Sequence, residues 1–156
     1  MEDVMDEISR LQRRRNKVLM LAGISFLLWQ GATLGIDLAE AAAWSDSVGL
    51  FALQMALIAG AVAWAGAMLL LLTYQRAVQR AGACSVLQDE LFLQNRARAT
   101  MYGFAGMIAG AALLLAAATF IEFSAVIAIR TLLILGVFIP LIAMAKLSHE
   151  PDEEAA

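Results

Sequence analysis

The chain has 156 residues, 62% of them hydrophobic and 16% charged, with a formal net charge of −3; soluble domains run at roughly 45 to 50% apolar and about 25% charged. An ordinary water-soluble fold is excluded, and the acidic balance gives no ground for direct nucleic-acid binding. The single cysteine, Cys84, and single histidine, His149, exclude an internal disulfide, a bis-histidine haem and a His-rich zinc site within this chain, so no cofactor is expected.

Residues 1–17 place Val4, Met5, Ile8 and Leu11 at helical spacing among Glu2, Asp3, Asp6, Glu7 and Arg10, which predicts a short amphipathic helix. Arg13, Arg14, Arg15 and Lys17 close it directly against the first apolar run. An anionic leaflet attracts such residues by about 1 kcal/mol each, so the cluster is expected to anchor the chain at the lipid surface.

Four runs approach the roughly 20 apolar residues needed to cross a bilayer. They predict helices over about 18–38, 48–74, 101–121 and 125–145, an all-α membrane protein with one domain of four spans, 18–145. Ala39, Glu40 and Ala41 imitate a signal-cleavage site. The long, acid-bearing leader and the length of the apolar run favour an uncut first span.

Helix one contains Gly31 and Gly35, and helix three contains Gly106 and Gly110, both as GxxxG, with Gly103 a turn earlier. Helix two carries Ala52, Ala56 and Gly60 on one stripe and Ala59, Ala63 and Ala67 on another. Lipid tails are as apolar as leucine, so spans associate by the close approach that small residues permit; these stripes are expected at helix contacts within the chain or between copies. Gln30 and Gln54 could hydrogen-bond between helices. Trp44, Tyr74 and Tyr102 fall where interfacial aromatics sit, while Trp29 and Trp64 lie deeper and are expected to pack.

Charge alternates between the connections. Arg10, Arg13, Arg14, Arg15, Lys17, Arg76, Arg80, Arg96, Arg98 and Lys146 lie before helix one, between helices two and three, or after helix four, whereas Asp37, Glu40, Asp46 and Glu122 lie on the opposite side. Lys and Arg are retained in the cytoplasm, which predicts cytoplasmic termini and a cytoplasmic 75–100 loop in a multi-pass protein of the cell inner membrane. The acidic tail, 146–156, does not alter this, because acids contribute little to orientation. Arg130, about 7 Å inside the start of helix four, is expected to pair with Glu122, or with Asp37 as a second choice, or to snorkel, with an anion or lipid contact as the alternative. Pro140 predicts a kink in helix four.

The second half of the loop, from Ser85, has Leu87 and Leu91 on one face and should run as a helix into helix three. Asp89 and Glu90 at its start and Arg96 and Arg98 near its end match the helix dipole; they are also the candidate contacts for a partner. At these residues the chain resembles a group of small bacterial four-helix membrane proteins, often encoded beside helix-turn-helix regulators. Their central loop has an Asp-Glu pair, with a basic residue and Ala beginning eight positions after the Glu. Asp89, Glu90, Arg98 and Ala99 reproduce this spacing, and Leu91 departs from it. The resemblance implies the four-helix architecture and carries no activity. Frequent Arg over Lys, with abundant Ala, fits a high-GC bacterial source.

The sequence reading is thus a non-enzymatic inner-membrane accessory subunit or regulator whose partners are lipids and a protein or a second copy. The alternative is a small oligomeric transporter or channel. Small multidrug exporters also have four helices but rely on a carboxylate buried in helix one, where this chain offers only Gln30 and, at the edge, Asp37. A lipid-modifying enzyme would need clustered Asp, His or Ser groups at one interface, a pattern the chain lacks.

Overall fold

A computed structural model describes residues 2–44, 46–80 and 90–147. These form four helices, α1 (Glu2–Ala41), α2 (Ser47–Arg80), α3 (Glu90–Ala117) and α4 (Ala125–Leu147), each containing a stretch long and apolar enough to cross a membrane. Cys84, Ser85, Asp89, His149 and the acidic tail lie outside the described residues, as do the side chains of Val4, Met5, Ile8, Leu11 and Glu90.

The expected amphipathic segment and first span are one continuous helix of 40 residues, about 60 Å at 1.5 Å per residue. No Gly or Pro stands before Gly23 to interrupt it, and an established helix propagates at little cost. α3 stops at Ala117 instead of about 121, in a turn where Thr119 Oγ1 donates to the Ala116 carbonyl at 2.7 Å.

The ends of α1 and α2 are specified by their own residues. The Trp44 N–H bonds the Ala39 carbonyl at 2.9 Å and the Ala43 N–H bonds Glu40 at 3.1 Å, with Ala43 at φ 49°. These bonds make a Schellman stop. Asp46 Oδ1 then accepts the Val48 N–H at 3.1 Å and caps α2. Ser124 Oγ, accepting from the Ile127 N–H at 3.4 Å, plays the same part for α4. Because a left-handed conformation strains an L-residue by about 1 to 2 kcal/mol, and the extra chain entropy of glycine takes back part of this, Ala43→Gly should stabilise the α1–α2 hairpin by about 0.5 to 1 kcal/mol. A higher thermal midpoint in mild detergent checks this; an unchanged or lower one contradicts it.

The helices pack as two antiparallel hairpins, α1 with α2 and α3 with α4, joined by α1 against α4. Contacts between α2 and α3 are minor, so α1 and α4 are central and α2 and α3 flank them. Large apolar side chains around the outside are exposed, among them Val62, Phe104, Leu113 and Ile129. That surface suits lipid and would be a liability in water.

In the α1–α2 hairpin, a Cβ placed on Gly60 would lie 2.5 Å from the Trp29 backbone nitrogen and 2.8 Å from its Cα. Glycine therefore permits the two backbones to meet there. Beside this contact Trp29 and Trp64 lie with ring centroids 5.3 Å apart, and Phe26 is 6.4 Å from each, the packing cluster expected of the deep tryptophans. Gly35 faces Leu53 nearer the acidic ends of the helices.

In the α3–α4 hairpin, Asn95, Ala99, Gly103, Gly106 and Gly110 recur every three or four residues and form one face of α3. Added Cβ atoms at the three glycines would meet Pro140, Ile139 and Leu135 respectively. The ring of Pro140 thus seats on Gly103, and α4 runs unbroken from Ala125 to Leu147 across it.

Gly31 does not show the expected close approach within the chain. An added Cβ there meets no atom within 4 Å, so among the described residues no helix lies against the Cβ side of Gly31, whereas its GxxxG partner Gly35 faces Leu53. Gly31→Ala should change stability by less than about 0.5 kcal/mol. A drop comparable with that of a seam glycine would show that Gly31 is covered in the membrane.

Candidate functional site

The antiparallel register collects the charged side chains at two opposite ends of the bundle. The basic end receives residues from every helix: Arg13, Arg14 and Lys17 from α1, Arg76 from α2, Arg96 and Arg98 from α3, and Lys146 from α4, all exposed. Arg15 is half-buried and interacts electrostatically with Tyr74 of α2. Tyr74, expected in an interfacial belt, is buried at 7% exposure, whereas Trp44 and Tyr102 are exposed.

Asn95 has a role that its loop-like surroundings in the sequence concealed. Its side chain is buried, and Nδ2 donates to the carbonyl of Leu147 at 3.1 Å. The final carbonyls of a helix lack partners within the helix, so Asn95 satisfies one of them and ties the basic ends of α3 and α4 together. The available signal was its place on the small-residue stripe leading to Gly103. Ala99 occupies the same face and is 3% exposed, which explains a small residue beside the exposed Arg98. Of the loop pair, the Glu90 backbone opens α3.

At the acidic end, Arg130 Nη1 lies 2.7 Å from Asp37 Oδ2. The order of residues along the chain points first to Glu122 as the partner. The structure corrects this: Glu122 is exposed in the turn before α4, while the packing of α4 on α1 brings the distant Asp37 to the guanidinium. Gln30 is half-buried on α1 and Gln54 is exposed on α2, and neither joins two helices by a side-chain hydrogen bond among the described residues. Nearby, Gly35, Ala39, Trp44 and Leu53 border an apolar cleft of about 650 Å³ that is wide open to its surroundings.

Chemically, the basic end offers many exposed donors and fixed positive charge, suited to anionic head groups or acidic protein segments. Among the described residues the acidic end offers the cross-helix ion pair of Asp37 with Arg130. No three His, Cys, Asp or Glu side chains converge among the described residues. The four apolar helices, with their lipid-suited surface, support a multi-pass membrane protein. No protein-family model, curated protein or solved structure matches the chain.

Proposed function

We propose that this chain is a non-enzymatic protein of a bacterial inner membrane, with both termini and the α2–α3 connection in the cytoplasm, acting as an accessory or regulatory subunit that engages a protein partner through its basic end. The observation carrying this reading is that all four helices deliver exposed cations to the same end. Retention of Lys and Arg sets that end inside the cell. Continuous helices extend past the apolar stretches there, α1 back to Glu2 and α2 on to Arg80, so cations such as Arg13, Arg14 and Arg76 are carried on helices. Anionic lipids surround its rim through Arg13, Arg14 and Lys17.

Co-purification of the native protein in mild detergent, followed by mass spectrometry, tests the reading. A specific companion should be recovered and should be lost with Arg96→Ala and Arg98→Ala. The same companions at the same yield from wild type and variant would reject the docking surface. Thiol labelling of Cys84 from the cytoplasmic side alone is the matching expectation for orientation.

A second reading, a small oligomeric transporter or channel, draws on the Asp37–Arg130 pair, because charged groups within spanning helices commonly mark transport pathways. Substrate movement in proteoliposomes that disappeared with Asp37→Asn would favour it over the subunit reading.

A further inference from the structure

The joint between the hairpins is built differently from the seams within them. Along α1–α2 the backbones meet at Gly60 beside the tilted rings of Trp29 and Trp64, and along α3–α4 a glycine-rich face receives the knobs of α4. Residues seven apart share a helix face, so Gly23, Gln30 and Asp37 form one line on α1. Gly23 meets Ile142 and Leu141 of α4 near the basic end, and Asp37 meets Arg130 at the acidic end. The α1–α4 contact therefore has a close apolar point near the basic end and an ion pair near the acidic end, while Ile127 and Ile134, on the same line of α4 as Leu141, are also buried. Gln30 lies on the line between Gly23 and Asp37. Among the described residues, α1 against α4 is the extensive contact between the hairpins.

The charges at the acidic end have two places to go. Paired, each side chain keeps about a quarter of its surface exposed, 23% for Arg130 and 25% for Asp37. Separated, Arg130 lies about 7 Å from the start of α4, within reach of head groups by snorkelling, and Asp37 lies one turn from the end of its helix. An apolar seam has no such alternative. Two arrangements that both satisfy the charges are what a bistable contact requires.

We propose that the Asp37–Arg130 pair is a latch: its release lets the two hairpins part at the acidic end while the Gly23–Ile142 contact serves as the pivot at the other. This inference stands independently of the docking reading. It is tested on the full chain, carrying Cys84→Ser, in lipid nanodiscs by electron–electron distance measurements between spin labels. One label pair, Leu38→Cys with Ile129→Cys, reads the acidic end of the joint. A second, Met20→Cys with Lys146→Cys, reads the pivot, and a third, Leu38→Cys with Phe51→Cys, reads a single hairpin.

With helical content checked by circular dichroism, Asp37→Asn and Arg130→Gln should each shift the acidic-end distribution to longer, broader distances and leave the other two pairs unchanged. Exchanging the charges, Asp37→Arg with Arg130→Asp, should restore the short distance. An unaltered acidic-end distribution in both single variants would overturn the latch. So would lengthening at all three label pairs, which would make the ion pair a general fold contact, or failure of the exchanged charges to restore closure.

Discussion

Gly60→Ala is expected to destabilise the protein by about 2 kcal/mol, within the range for overpacking a close-fitting interior. The added methyl would meet the Trp29 and Leu28 backbones. Backbone atoms of a packed helix do not swing aside as a side-chain terminus does, so α1 and α2 must separate or slide. Separation also weakens the contact between Trp29 and Trp64, which makes tryptophan emission a reporter of the change. A red shift and a lower unfolding midpoint are the expected pair of results. Gly66→Ala is the internal comparison, since a Cβ there meets nothing within 4 Å; equal losses at the two positions would show that the α1–α2 approach does not depend on Gly60.

Gly103→Ala is expected to cost a similar amount, about 1 to 3 kcal/mol, and the loss should be coupled to Pro140. The added Cβ would lie 2.8 Å from both Cδ and Cγ of the proline ring, and that ring is tied to the α4 backbone. At Gly106 and Gly110 the obstructing atoms are the far ends of Ile139 and Leu135, which can move to other rotamers. Alanine should therefore be tolerated better at those two positions. Removing the ring in the double variant Gly103→Ala with Pro140→Ala should recover stability relative to the sum of the single changes. Contacting residues give coupling energies of about 0.5 to 3 kcal/mol in such cycles. Strict additivity in detergent unfolding would mean that the ring does not seat on Gly103.

Several features were legible before any packing was known. Four apolar runs of membrane-spanning length are countable along the chain, and each lies in a helix of the structure. The segregation of basic from acidic connections follows from counting along the chain. The continuity of α1 was obscured because composition changes sharply at Lys17. The backbone responds to helix breakers, and none stands there.

The site was harder to read. Glu122 is near Arg130 along the chain, yet Asp37 holds it, because a lateral contact between hairpins carries little signal in local sequence. Asn95 sat among charged residues as one more polar position, and only the end of α4 arriving beside it gave its amide a carbonyl to bind. The glycine stripes showed where close approach was possible. They did not show that Gly31 would be left open while Gly60 met a backbone.

By itself the sequence determined four membrane-capable helices and the division of charge between their connections. Apolar length and charge are properties of each segment in its own solvent, so they need no knowledge of a neighbour. The tertiary structure decided which glycines touch, where Pro140 rests and which carboxylate meets Arg130. Those outcomes depend on the rotation and register of one helix against another, set jointly by the knobs of one surface and the gaps of its partner.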